Sequence, residues 1–410
     1  MSVALRNVLI LALCQALTWS AASIMIVSAS LTATLLADAS LATVPLGLHF
    51  TASTLTTFGA SMLMRRFGRR AGFTLGAVAG VGCGVVSIWA IYAGSFVAFC
   101  LGGMLFGVAM SFAQYYRFAA AEAADAAFRS RAISLVIAGG VLSALAGPEL
   151  AEWGRDLFAP VLFVGSYAVI AGLFLTAALL VQLLRIPRLS ASEAREQGRP
   201  LGAVARQPVY LVAVLGGVVG YGMMMLVMTA TPLAMEFCGF AFGDSAFVIQ
   251  WHALGMFVPS FFTGHLIARY GVLNIMLAGT VLIAACIAIN LHGVSLVHFW
   301  LGLLLVGLGW NFLYVGSTSL LTESYRPEER AKAQGLNDSL VFGLVAVTTF
   351  SSGWLQNRFG WEAVNLAGVI PVLAVGAAIL WLSRQRSPAG ATAAAPADGQ
   401  KDPVVRHGAE

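Results

Sequence analysis

Long apolar runs recur along the whole chain, and they restrict its fold more than any other feature. We count twelve such runs, each of roughly 20 residues or more, the length that an α-helix needs to cross about 30 Å of hydrocarbon. Apolar residues make up 59% of the chain and charged residues only 10%, whereas soluble domains carry about 25% charged residues. The sequence therefore predicts an all-α protein embedded in a lipid bilayer.

The predicted membrane spans form two sets of six, divided by the longest polar connector of the chain. This division predicts a first half over 1–184, a linker over 185–207, a second half over 208–384 and a disordered tail over 385–410, rich in Ala, Pro and Gly. The predicted spans are 7–34, 42–63, 71–92, 95–116, 132–152, 160–184, 208–236, 244–267, 272–292, 297–322, 334–355 and 362–383.

The basic residues indicate how the chain crosses the membrane. With the N-terminus inside, the predicted cytoplasmic segments hold 21 of the 23 Lys and Arg residues, and only Arg155 and Arg358 fall outside. We therefore expect a bacterial cytoplasmic (inner) membrane protein, monomeric, with both termini in the cytoplasm. The net charge is +5, but the basic residues lie in short loops between apolar runs. We therefore expect no nucleic-acid partner.

A weak internal repeat relates the two halves. The loops after the second and eighth spans share a short pattern in which Gly68 and Gly271 are 203 residues apart. Arg129-x-Arg131 after the fourth span is echoed by Arg330-x-Lys332 after the tenth. Repeats of this kind are typical of transporters whose two halves move about a central site.

The loop after the second span resembles the G-x-L-x-D-R-x-G-R-R signature of the major facilitator superfamily. In this chain the segment reads S-M-L-M-R-R-F-G-R-R, from Ser61 to Arg70. The resemblance implies the twelve-helix major facilitator fold in two six-helix halves. It also implies alternating access, in which the central site opens to one side of the membrane at a time. Arg65 stands where the family has an acidic residue that helps to latch one conformation. We therefore expect a latch that is weakened or built differently.

Four side chains on the seventh and eighth spans form the candidate site. Met224 and Met228 are an i,i+4 pair, as are His252 and Met256, so each pair shares a helix face. The spans are predicted to form an antiparallel hairpin that turns near Gly239. Residues of equal depth in such a hairpin have a constant sum of residue numbers, which groups Met228 with His252 and Met224 with Met256. The deeper layer lies roughly 18 Å from the outer end, near the bilayer midplane.

Three thioethers and one imidazole make a soft, uncharged ligand set, which favours Cu(I) over hard cations. Met235 and Cys238 continue this face toward the outer end of the hairpin, and His49 and Met25 are candidates to face it from the first half. The competing interpretation is packing, because methionine often fills gaps between helices. An ionisable side chain within a span, as at His252, is more often functional.

The paired motif resembles that of the CcoA-like copper transporters, the CalT family. It falls on Met224, Met228, His252 and Met256, and a family cysteine after the seventh span corresponds to Cys238. The resemblance implies copper import across the cytoplasmic membrane for the assembly of cbb3-type cytochrome oxidase, with copper as cargo and no cofactor. The direction, the coupling ion, the downstream copper chaperones and the roles of the other four cysteines stay open.

Two other functions compete with copper import. A riboflavin or other small organic molecule transporter would keep the fold, and four aromatic side chains are candidates to stack on such a cargo: Phe112, Tyr115, Tyr116 and Trp251. A membrane copper sensor or assembly factor would bind the metal without moving it. We expect no enzyme, because the chain lacks the G-x-S-x-G, H-E-x-x-H and phosphate-loop motifs.

Overall fold

Helices account for the regular structure throughout the computed structural model, which describes residues 3–38, 41, 44–186 and 198–386. No strand occurs within these ranges. Most of the predicted linker and nearly all of the predicted tail lie outside the described residues.

The helices follow the order that the apolar runs predict, and we number them 1 to 12. Gly360, whose φ is 81°, breaks the last long helical stretch and separates helix 11 from helix 12. The helices are Val3–Leu36, Val44–Phe67, Arg69–Tyr92, Phe96–Ala113 with Tyr116–Ala123, Arg129–Ala138 with Gly140–Asp156, Val164–Val181, Pro208–Phe237, Phe242–Phe257 with Ser260–Tyr270, Val272–His292, Leu296–Leu321, 330–359, and 361–366 with Val369–Arg386. Two short helical turns, Leu201–Ala205 and Pro327–Glu329, precede helices 7 and 11.

Most of these helices are long and apolar enough to cross a membrane. Nine described stretches meet that requirement, and helix 8, bent by 41° near its middle, is a tenth. Helix 2 falls outside this set and carries several Thr and Ser residues. Helices 11 and 12 count as one stretch because the breaks in it, at Gly360 and at 367–368, are short. The twelve predicted spans therefore correspond to twelve observed helices.

The internal repeat is visible in the backbone. Gly68, between helices 2 and 3, has a φ of 90°, and Gly271, between helices 8 and 9, has a φ of 85°. L-residues with a side chain rarely adopt such angles, whereas glycine adopts them at little cost. The two glycines therefore make the same sharp connection in the two halves.

Helices of the two predicted halves touch in two places related by the repeat. Both places lie at the helix ends that adjoin the loops rich in arginine, here called the arginine-rich ends. Helix 2 meets helix 11, where the Ser61 hydroxyl donates to the carbonyl of Ala331 over 2.8 Å. Helix 8 meets helix 5, where the Gly264 amide donates to the Ser134 hydroxyl over 3.1 Å. A Cβ at Gly264 would lie only 2.6 Å from the Cα of Arg131. The two predicted halves are therefore in direct contact on this side of the molecule.

Glu122 at the end of helix 4 is the centre of a polar network on the same side. Its carboxylate lies 2.5 Å from the Arg69 guanidinium and 3.3 Å from that of Arg330. Gln334 of helix 11 accepts from Arg69 and donates to Glu122. A carboxylate on helix 4 therefore joins the two arginines and Gln334 on this side, and the altered latch expected from Arg65 stays a prediction.

A second ion pair joins the segment before helix 7 to the start of helix 11. The Arg199 guanidinium lies 2.6 Å from the Glu329 carboxylate, and the Arg199 backbone amide donates to the same group over 2.7 Å. These hydrogen bonds lower the pKa of the Glu329 carboxyl to about 2. The contact therefore persists at any physiological pH.

Candidate functional site

A cavity of about 310 Å³ lies between the two predicted halves. Sites of roughly 300–1,000 Å³ are typical of small organic ligands. Helices 1, 2, 4 and 5 form one wall and helices 7, 8 and 11 the other. Six aromatic and six methionine side chains line it: Trp19, Phe50, Phe106, Tyr221, Phe257 and Phe342, with Met25, Met110, Met224, Met225, Met228 and Met256. No charged side chain lies on this wall among the described residues.

One stripe of helix 7 faces the cavity. Tyr221, Met224, Met225 and Met228 follow the i, i+3, i+4, i+7 spacing of a single helix face, and all four line the cavity. Met223 points elsewhere and packs against Gly368, where its thioether would lie 2.5 Å from an added Cβ. The structure thus places the predicted Met224 and Met228 pair on one face.

On helix 8 the structure separates the predicted pair. Met256 lines the cavity with Ile249 and Ala253, but His252 does not. The His252 ring lies against helix 10, with Nδ1 2.8 Å from the carbonyl of Leu303. Met256 lies about 40° and Ala253 about 100° around the helix from His252. The shared face is therefore wide enough for Met256 to meet the cavity while His252 meets helix 10.

The contact with Leu303 selects one tautomer of the neutral His252 ring. A carbonyl can only accept, so Nδ1 carries the hydrogen, and in the neutral ring Nε2 has a free lone pair. Nε2 is buried without a hydrogen-bond partner in the described part of the chain. A lone pair of this kind is what a metal ligand requires, so the four-residue copper site stays a prediction.

His49 and Met25 line the cavity from the first half. Helix 4 packs closely on helix 2 beside His49, because a Cβ at Gly107 would lie 2.2 Å from the His49 carbonyl. Gly307 of helix 10 faces the His252 carbonyl in the same way, at 2.8 Å. His49 and His252 are 203 residues apart, the same offset as Gly68 and Gly271. The repeat therefore relates the two histidines, a relation that the offset alone could have revealed.

The outer candidates Met235 and Cys238 do not line the cavity. Met235 is buried and accepts a hydrogen bond from the Ser245 hydroxyl, whose oxygen lies 3.6 Å from the sulfur. Cys238 is exposed at the end of helix 7, and Gly239, with a φ of 80°, makes the predicted turn. The other four cysteines are buried, and none of the five forms a disulfide.

The aromatic side chains predicted to stack on an organic cargo lie elsewhere. None of Phe112, Tyr115, Tyr116 and Trp251 is on the cavity wall. Tyr115 and Tyr116 are buried in the core, and Trp251 is 39% exposed beside Trp300. Six other aromatic rings take that place, and nothing in their local sequence distinguishes them from ordinary core residues.

An ion pair crosses between the halves near the arginine-rich end of the cavity. The Arg117 guanidinium of helix 4 lies 2.5 Å from the Asp338 carboxylate of helix 11, and both side chains are buried. The guanidinium also stands over the ring of Tyr314, 4.7 Å from its centroid. A buried pair of this kind is costly to break, because each partner would leave an uncompensated charge.

Known proteins resemble this chain over nearly its whole length. A family model of the Major Facilitator Superfamily matches residues 8–347 and 219–406. The riboflavin transporter RfnT of Brucella anthropi is 41% identical over 393 residues, which is 95% of this chain and 98% of that protein. An uncharacterised transporter of Bacillus subtilis, YddS, is 27% identical over 81% of both chains.

Solved structures agree on the fold. The fucose transporter FucP in its outward conformation superimposes with a TM-score of 0.74 at 15% identity, covering 94% of this chain and 100% of that one. The human organic anion transporter MFSD10 gives a TM-score of 0.74 at 15% identity, covering 92% and 100%. With the family match and the relative at 41% identity, these likenesses establish that the chain belongs to the major facilitator superfamily.

Proposed function

We propose that this chain carries riboflavin, or a flat uncharged organic molecule of similar size, across the membrane. The observation that carries the proposal is the 41% identity with a riboflavin transporter over 95% of the chain. The paired Met and His motif made copper the first expectation. The relative favours the alternative cargo, because its name refers to an organic molecule and not to a metal.

The cavity supports an organic cargo. Its volume of about 310 Å³ suits a molecule of several rings or a ring with a side chain. Aromatic walls bind a flat ring by stacked or edge-to-face contact, and methionine side chains adapt to irregular shapes. The wall carries no charge among the described residues, which suits riboflavin because that molecule is uncharged at neutral pH.

Transport requires the contacts at the arginine-rich ends to open. Ser61 would leave Ala331, Gly264 would leave Ser134, and the Glu122 network would separate. We propose that this side faces the cytoplasm, with both termini inside, because positive charge is concentrated in cytoplasmic loops. The described conformation is then closed toward the cytoplasm.

Cu(I) transport is the second candidate, and two observations favour it. Six methionines line the cavity, and thioethers are soft ligands that prefer Cu(I). The buried Nε2 of His252 has no partner in the described part of the chain. Both observations also fit packing, since methionine lines many apolar cavities.

Growth and copper content of a bacterial strain that can neither make nor import riboflavin distinguish the two proposed cargoes. Cells that express this chain should grow on limiting riboflavin, whereas cells with an empty vector should not. Total cell copper, measured at limiting external copper, should be equal in the two strains. Increased copper without any rescue of growth would exclude the riboflavin proposal and favour copper.

A further inference from the structure

A small recess adjoins the cavity on its arginine-rich side. It shares the walls Trp19, Gln114 and Phe257 with the cavity, and Gln15 and Arg117 also line it. Its volume is about 10 Å³, which is room for about one water-sized group. A single polar atom of a ligand in the main cavity would fill it.

The recess is lined by polar groups that lack partners. Gln15 and Gln114 are each only 8% exposed, and their side-chain amides make no hydrogen bond to any described residue. Arg117 donates to the Gln114 carbonyl and to Asp338, but its buried Nε–H has no partner within the described ranges. The buried Nε–H of Arg117 costs roughly 1–3 kcal/mol while it has no acceptor, so an acceptor that reaches it would be stabilised.

Packed aromatic rings form the rest of the recess wall. The rings of Trp310 and Tyr314, which also line the recess, are stacked with centroids 5.1 Å apart. Phe257 meets Trp19 and Trp310 edge to face, at 5.7 and 6.0 Å. Aromatic side chains packed in this way have little freedom to move away and fill the recess. The recess is therefore formed before any ligand arrives.

We propose that this recess binds a carbonyl oxygen of the cargo, on the amides of Gln15 and Gln114 and the Nε–H of Arg117. The assignment rests on the proposed function. The flat ring system of riboflavin carries carbonyl groups at C2 and C4 along one edge. One of these oxygens enters the recess, while the ring lies in the cavity between the aromatic walls.

The recess would also connect the cargo to the contact between the halves. The guanidinium that receives the carbonyl oxygen at Nε is the group that holds Asp338 of helix 11. Asp338 is bound at a different nitrogen, Nη2, so the Nε–H group is available to the cargo while the ion pair stays in place.

Analogues of riboflavin test the assignment. The probes are riboflavin, 2-thioriboflavin and 4-thioriboflavin, in which sulfur, a weak acceptor, replaces one carbonyl oxygen. Their uptake is compared in cells that express the wild-type chain, Gln15→Leu or Gln114→Leu. The wild type should prefer riboflavin over one thio analogue by about tenfold or more, as expected for a lost hydrogen bond in a buried site. Each variant should reduce that preference.

The preference is a ratio within one variant, so it does not depend on how much protein reaches the membrane. Gln356→Leu is the matched control, because Gln356 is equally buried and lines neither the cavity nor the recess. It should keep the wild-type preference. Equal uptake of all three probes by the wild type, or an unchanged preference in both recess variants, would overturn the assignment. If the wild type takes up none of the probes, the proposed function itself fails, and the assignment fails with it.

Discussion

At the scale of single residues, the methionines of helix 7 show what a helical pattern can and cannot predict. The spacing of Met224 and Met228 correctly predicts a shared face, because i and i+4 positions always lie close together on a helix. The same rule pairs His252 with Met256 but does not specify what the shared face meets. Helix 10 packs closely against helix 8 at Gly307, and His252 faces helix 10 instead of the cavity. That approach depends on packing between distant segments.

Conservative substitutions of the cavity methionines distinguish two interpretations of these side chains, as an apolar wall or as metal ligands. Met224→Leu and Met256→Leu keep volume and apolarity, so each should cost less than about 1.5 kcal/mol in the free energy of unfolding. If the methionines form an adaptable wall, both variants should take up riboflavin within about tenfold of wild type. Uptake of labelled riboflavin by cells measures this.

Met223→Leu is the control, because Met223 packs against Gly368 and not against the cavity. A loss of cellular copper in the Met224 and Met256 variants, with copper normal in Met223→Leu, would contradict the interpretation as a wall and return the thioethers to the role of ligands.

At the scale of helices, the apolar runs predict the number and order of the elements, because the thickness of a bilayer sets their length. They do not predict the breaks. Helix 4 is interrupted between Ala113 and Tyr116, and helix 8 is bent by 41° between Phe257 and Ser260. Pro232 lies inside helix 7, which continues unbroken past it. The bend of helix 8 falls at Pro259, which lacks the backbone N–H that would continue the helix, so a proline and not the hydropathy pattern marks this break.

The ion pair between helices 4 and 11 should contribute strongly to the stability of the closed conformation. Asp338→Asn leaves the buried Arg117 charge without its partner, which costs about 3–5 kcal/mol. The unfolding temperature of the purified variant in detergent should therefore fall clearly below that of wild type. Asp156→Asn is the control, since Asp156 is exposed and should tolerate the change. Equal unfolding temperatures for Asp338→Asn and wild type would show that the pair stabilises nothing.

The contact between helices 5 and 8 needs a glycine at position 264. Gly264→Val would place a Cβ 2.6 Å from the Cα of Arg131, a backbone atom that cannot move alone. Overpacking of this kind costs roughly 1–3 kcal/mol, so closure is disfavoured and riboflavin uptake should fall by about tenfold.

Gly59→Val is the matched control for this change, because an added Cβ at Gly59 of helix 2 meets no atom within 4 Å. Uptake by Gly59→Val should stay near that of wild type. Wild-type uptake in Gly264→Val, with the protein present in the membrane, would mean that this contact need not close during transport.

At the scale of the whole molecule, the distribution of basic residues and the repeat predict two halves about a central cavity. They cannot predict which rings line that cavity. Trp19, Phe106 and Phe342 come from three helices that meet only in the folded chain, and each looks like a core residue in its own segment. The recess at Gln15 and Gln114 could not be predicted either, because its lining also comes from helices that meet only in the folded chain. Nothing in the sequence around these two glutamines indicates that their amides lack a hydrogen-bond partner among the described residues.

The exposed cysteine at the end of helix 7 tests the orientation in the membrane. Cys238 is exposed, whereas Cys14, Cys83, Cys100 and Cys286 are buried. A membrane-impermeant maleimide added to intact cells should therefore label the chain, and Cys238→Ser should abolish the labelling. Labelling of the wild type only after the cells are made permeable would place the connector between helices 7 and 8 inside, reversing the proposed topology.

Uptake by the purified protein in liposomes tests the proposed cargo most directly. Radiolabelled riboflavin should accumulate in vesicles that contain this chain, and excess unlabelled riboflavin should compete with it. Cu(I) buffered by a chelator, assayed in the same vesicles, should enter no faster than into vesicles without protein. Copper entry that requires the chain, together with riboflavin entry equal to that of empty vesicles, would contradict the proposed function and make this protein a copper transporter.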